Sequence, residues 1–243
     1  MIMKTILLIL TVFGIASSGY AQDMKHIDAT YFILGTLSDY NGRFRSIQKE
    51  NQVDRYNSYE KPAIDFINEL SHNELKIKVT CAIDSGSTTL EYETFSKDLA
   101  SILNSFYGKD KYLLMESFKD PVQIYSFLAG KYYRYGSRLN DKIYEFRFLN
   151  FPNHFICNDL LKRIGCKVYF RNIEQVPAQY IYYFVPTKEL ERYFEMISPQ
   201  KEILNNSYNT FYKRLWGVDE EQYNRIRTDL NKKELLEIGT KLL

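Results

Sequence analysis

Residues 142–170 constrain the fold more than any other stretch of this chain. An apolar and aromatic run predicts a strand over 143–149 and a short loop through Asn150-Phe151-Pro152-Asn153. A helix over about 154–164, a stop at Gly165 and a second strand over 167–170 follow. Roughly 30 residues is the length of a βαβ crossover, a unit that is right-handed in nearly every case. This unit is expected at the centre of the core.

The same stretch holds the close pair His154 and Cys157. At about 100° per residue, Ile156, Cys157, Leu160, Leu161 and Ile164 share one arc of the helix, while Asn158, Asp159, Lys162 and Arg163 point away. A thiol inside an apolar stripe behaves as a small hydrophobe, and burial raises its pKa. Cys157 is therefore expected in the core. The competing chemistry is a thiol hydrolase in which His154 activates Cys157.

The N-terminus reads as a leader. Lys4 supplies a basic start, residues 5–16 an apolar run, and Ser17-Ser18-Gly19-Tyr20-Ala21 small residues suited to cleavage near Ala21-Gln22. The run is shorter than the ~20 residues that a membrane span needs. A signal peptide over 1–21 predicts an exported protein, periplasmic or extracellular, with no transmembrane segment after leader removal. Residues 22–243 contain no linker rich in Pro, Gly or Ser and are expected to form a single domain. The net charge of +2 argues against nucleic acid as a partner. Three cysteines, Cys81, Cys157 and Cys166, do not make a disulfide framework.

Along the chain, Asn41-Gly42 is a strong hairpin signal, with arms predicted over 33–40 and 43–47. Residues 48–57 are polar and read as a loop, followed by a helix over about 59–71 with Ser58 as its cap. Ile77, Val79, Cys81 and Ile83 alternate with polar residues and predict a strand with these four inward. Its hairpin partner is residues 88–93. Thr94 is expected to cap a helix ending at Gly108, and Asp120-Pro121-Val122-Gln123 opens another ending at Gly136. A strand over 180–185 precedes helices capped by Thr187, broken at Ser198-Pro199, stopped by Gly217 and restarted at Asp219, with a further restart at residues 231–234. No internal repeat is evident. The fold class is α+β, a mixed sheet flanked by helices, with a helical C-terminal part from about residue 187.

Residues 83–89, Ile-Asp-Ser-Gly-Ser-Thr-Thr, resemble the first phosphate-binding turn of the actin-like ATPase and sugar kinase superfamily. That resemblance implies phosphate held by backbone N–H groups and hydroxyls. The chain departs from the pattern at Leu90, where a basic residue is common, and lacks a second glycine-rich phosphate turn. A hairpin turn using Gly86 is the reading adopted.

Other candidates are sparse. Glu91 and Glu93 share one face of a strand, the arrangement of a carboxylate-type hydrolase. His26, His72 and His154 lie far apart, and neither H-E-x-x-H nor C-x-x-C occurs, so no metal or cofactor is expected. The 21 tyrosines are unusual, since a ring with a polar tip suits a binding surface. Tyr133, Arg134 and Tyr135 at a helix end, and Tyr180 and Tyr182 on a strand, are the candidate binding residues. The expectation is a non-enzymatic interaction protein of the cell envelope with a protein or glycan partner. The alternative is a secreted hydrolase, using Cys157/His154 or Glu91/Glu93.

Overall fold

A computed structural model describes residues 26–38, 49–84 and 91–242. The leader, the Asn41-Gly42 hairpin and the turn at residues 85–90 lie outside the described residues. The first part runs α1 (Ala29–Thr36), β1 (Gln52–Asn57), α2 (Lys61–Leu75), β2 (Thr80–Asp84), β3 (Glu91–Phe95) and α3 (Lys97–Asn104). The second runs α4 (Pro121–Tyr135), β4 (Gly136–Arg138), β5 (Tyr144–Leu149), α5 (His154–Arg163), β6 (Lys167–Ile173), β7 (Gln179–Val185) and α6 (Lys188–Met196). Two longer helices, α7 (Ser198–Trp216) and α8 (Glu220–Leu242), complete it.

The fold is α+β, with two sheets ordered β1-β3-β2 and β4-β5-β7-β6. Every ladder is antiparallel. The central β5–α5–β6 unit forms, but β7 is inserted between its two strands and pairs antiparallel with both. β5 and β6 thus run parallel without touching.

The two parts repeat one another. Each is led by a helix, α1 or α4, and the strand order β1-β3-β2 of the first matches β5-β7-β6 of the second. The leading helices meet through glycine. A Cβ placed on Gly35 would stand 2.2 Å from the Phe127 carbonyl oxygen, and one on Gly130 would stand 2.1 Å from that of Phe32. This reciprocity is the signature of a two-fold contact. Its trace in the sequence is Phe-x-x-Gly, once at Phe32–Gly35 and once at Phe127–Gly130, too short to register as a repeat.

Three expectations are overturned here. Residues 33–36, the start of the expected hairpin arm, belong to the helix α1 and not to a strand: the Asp28 side chain accepts from the backbone N–H groups of Thr30 and Tyr31, and the helix is buried on nearly all sides. A helix without a polar face has no amphipathic period to read. Residues 52–57 are strand, not loop, because Asp54 and Gln52 find buried polar partners. The β2–β3 hairpin forms, but β2 is an edge strand facing solvent, so Cys81 is exposed and Ile83 is 57% exposed.

Local signals hold elsewhere. Asp120 and Gln123 make the capping box of α4, Thr187 caps α6, and Gly217 takes φ +64° after α7. The caps of α2 and α3 shift slightly: Asn57 and Glu60 cap the turn before α2, and Ser96 caps α3. α8 continues unbroken through residues 231–234. One hydrophobic cluster extends through both parts, and a smaller one, Leu139, Ile143, Ile181, Tyr183, Ile238 and Leu242, lies between the second sheet and α8.

Candidate functional site

The C-terminal ends of α1 and α4 lie side by side over a buried charge cluster. Arg134 Nε and Nη2 donate to Glu60 at 2.7 and 3.1 Å. Its Nη1 donates to Asp54 Oδ2 at 2.6 Å and to the Thr36 carbonyl at 2.9 Å. Nη2 also donates to the Arg55 carbonyl at 2.7 Å, so all five guanidinium N–H groups are engaged. Tyr208 Oη donates to Glu60, and Ser38 donates to Asp54 through both N and Oγ. Lys131 Nζ donates to the Leu37 carbonyl at 3.2 Å and lies 4.3 Å from the centre of the Phe151 ring. Two cations thus meet the negative C-terminal end of α1. Asp54 and Glu60 are the carboxylates nearest this junction in the bonding pattern, and Arg134 occupies both. Among the described residues no group of three or more His, Cys, Asp or Glu is placed to hold a metal.

The sequence-predicted residues fall into separate places. Cys157 is fully buried, and burial pushes its thiol up to about 12. His154 turns to Tyr182 instead, with Nδ1 2.6 Å from the tyrosine Oη. Its ring stacks on Tyr180 at 3.8 Å between centroids, and burial lowers its pKa to about 4. A neutral imidazole facing a phenol does not make a thiolate. His154, Tyr180 and Tyr182 are therefore brought together, and Phe155, Tyr112 and Phe170 continue the line of rings to the surface. Tyr133, Arg134 and Tyr135 are not part of this group. Tyr133, Arg134 and Tyr182 are 0%, 6% and 2% exposed, which removes the expected tyrosine-rich surface. The reason is that α4 packs on α1, β5, α6 and α7, so several of its faces are interior.

Glu91 and Glu93 share the outer face of β3, but their settings differ. Glu93 is buried and accepts from Lys49 Nζ at 2.5 Å and Gln52 Nε2 at 2.9 Å, while Glu91 is half-buried. The three cysteines are free, Cys81 exposed and the other two buried.

Sequence reasoning missed Arg55 and Arg147. Each is the fourth residue of its strand, β1 or β5, and the two strands share one burial pattern from end to end. Both side chains point outward, 39% and 35% exposed. The signal available was an arginine followed by an aromatic residue within each strand, Arg55-Tyr56 and Arg147-Phe148. Around Arg147 the outer face of the second sheet adds Tyr169, Arg171, Gln179 and Tyr183. α8 lies across that face. Glu234 accepts from Arg147 Nη2 at 2.7 Å and from Tyr183 Oη, and Glu237 accepts from Arg171 Nη1 at 2.7 Å. Lys241 Nζ donates to Tyr169 Oη at 2.7 Å.

No family model matches the chain, and no curated protein does. Solved structures resemble it. The homing endonuclease I-DmoI, in complex with DNA and Mn, aligns with a TM-score of 0.44 and 16% identity, covering 70% of this chain and 94% of that one. The N-terminal LAGLIDADG domain of WhiA aligns with a TM-score of 0.42 and 16% identity, covering 70% and 81%. Full-length WhiA from Thermatoga maritima gives 0.44 and 15%, covering 83% and 69%. The resemblance is one of fold. Against the expected exported protein and the exclusion of nucleic acid stand the descriptions of these neighbours, a homing endonuclease solved with DNA and a LAGLIDADG domain of WhiA. The exported, signal-peptide-bearing envelope protein with a protein or glycan partner is withdrawn. So are the secreted hydrolase and the exclusion of nucleic acid. Among the described residues no helix is long and apolar enough to cross a membrane.

Proposed function

We propose that this chain is a nucleic-acid-binding protein whose contact surface is formed by the outer faces of its two sheets. The observation that carries this reading is the repeated arginine. Arg55 and Arg147 occupy matching positions on two matching ladders, both outward and both beside hydrogen-bonding side chains. Guanidinium groups recognise phosphate and the acceptor edge of guanine through paired N–H donors. A β-ribbon fits the major groove, and a protein with internal two-fold character suits two half-sites on one duplex. I-DmoI was solved in complex with DNA. For the present chain DNA is a proposal, and it rests on the two arginines.

In this reading the α1–α4 junction is a support and not a metal centre, because Arg134 already occupies Asp54 and Glu60. A net charge of +2 also means that binding rests on local contacts and not on a long-range positive field.

Fluorescence anisotropy with labelled duplex and single-stranded oligonucleotides, at low and moderate salt, tests the proposal. Arg55→Gln and Arg147→Gln are each expected to weaken duplex binding roughly 5- to 10-fold and to reduce the salt slope by about one. A wild-type protein that binds neither form at tens of micromolar ends the proposal.

A further inference from the structure

The two sheets are matched in strand order. α8 packs on β6 and β7 of the second sheet, across its outer face. The contact has two components. Leu235, Ile238 and Leu242 meet Leu139, Ile143, Ile181 and Tyr183 in a cluster separate from the main core. On the same side of α8, Glu234 and Glu237 sit on Arg147 and Arg171.

This cover is shallow for a helix of 23 residues, of which only Tyr223, Ile238 and Leu242 are buried. Leu230 and Leu236 are 56% and 75% exposed. A cleft of about 220 Å³ remains between α8 and the sheet, lined by Tyr169, Arg171, Glu237, Ile238 and Lys241. Ion pairs that are partly open to solvent, such as Arg171–Glu237, contribute little to stability and are weakened further by salt. Their value here lies in placement. Two carboxylates, three residues apart on one helix face, meet two arginines on neighbouring parts of a sheet.

We propose that α8 is the resident occupant of the nucleic-acid surface, with Glu234 and Glu237 holding the positions that duplex phosphates take when α8 lifts. This rests on the reading of the sheet faces given above and adds its regulation: the second face is masked at rest. Duplex and α8 compete for Arg147 and Arg171, so binding of one releases the other.

The test uses the full chain and a labelled duplex of about 20 base pairs. Ile238→Ser removes the apolar anchor without changing charge, and Glu234→Gln/Glu237→Gln removes the acids. Glu221→Gln/Asp229→Asn, on exposed positions of α8, controls for net charge. The first two variants are expected to tighten duplex binding about 10-fold, and the control less than 2-fold. In the wild-type protein, duplex is expected to raise amide hydrogen exchange over residues 228–242. If exchange in α8 rises in the variants while duplex affinity stays unchanged, or if duplex protects α8, the masking is overturned and the sheet-face reading stands. If the wild type binds neither duplex nor single strand, both fall.

Discussion

Gly35 and Gly130 allow the two leading helices to touch backbone to backbone, with their Cα atoms packed against one another at the crossing: a Cβ on either would lie 3.0 Å from the other's Cα. The neighbouring carbonyls of Phe127 and Phe32 are closer still, and neither belongs to a flexible side chain. Gly35→Ala and Gly130→Ala are each expected to cost about 3 kcal/mol, the upper end of what overpacking in a close-packed core does. Urea denaturation measures it. A loss below about 1 kcal/mol in either variant would mean that the helices can separate, and that the close approach is not what holds the halves together.

Arg134 and Glu60 come from opposite parts of the chain and are both buried. Arg134→Met strands two carboxylates in the interior and is expected to cost about 3–5 kcal/mol. Arg134→Lys is expected to recover little, because an ammonium has three donors where five acceptor contacts are made. Burial pulls the Glu60 carboxyl up, but Arg134, the Asn57 N–H and Tyr208 outweigh it and leave the pKa below the usual 4.5. The stability this group contributes is therefore present above the ordinary carboxylate range and lost as pH falls through its lowered value. Acid titration of Glu60→Gln is expected to show a flatter loss below about pH 4 than the wild type.

Lys201 is enclosed on α7 with its Nζ donating to the Tyr133 carbonyl at 3.0 Å. Burial lowers its pKa to about 7, with Arg227 pushing the same way and Glu145 opposing. A folded-state value below the unfolded one means that stability rises with pH between about 7 and the ordinary 10.5, and is flat below 7. Lys201→Met is expected to abolish that rise. Chemical denaturation at pH 6, 8 and 9.5 reads it, and an unchanged slope in the variant would assign the effect elsewhere.

Thiol reactivity separates the three cysteines. Cys81 is exposed on an edge strand, while burial raises the pKa of Cys157 to about 12 and that of Cys166 to about 11. A disulfide reagent at neutral pH is expected to modify Cys81 alone in the native protein and all three cysteines in denaturant. Fast labelling of Cys157 in the native state would reopen the question of a reactive thiol.

How much of this was readable in advance depends on how far away each residue's partners lie. The capping box of α4 and the stop at Gly217 were legible because cap and capped group are neighbours in sequence. The inward stripe of α5 was legible because one face of it is polar. α1 was not, because its surroundings are apolar on nearly every side and an all-apolar helix has no period. β1 was not, because Asp54 reads as a solvated loop residue until Arg134 is brought to it. Of the candidate site, His154, Tyr180 and Tyr182 do meet, though as a stack and not as a reactive pair. Arg55 and Arg147 stand out only when the two ladders are compared.

The amino-acid sequence by itself determined the α+β character, the position of most helix ends and the burial of Cys157. Those outcomes rest on hydrogen bonds and apolar spacing within a turn or two of chain. Only the tertiary structure decided that the halves repeat, that Arg134 is an interior cation and that α8 lies on the second sheet. Each of those depends on partners far apart in sequence, as Arg134 is from Glu60 by 74 residues and from Thr36 by 98. A side chain's solvation, and with it its chemistry, is set by what the fold places against it.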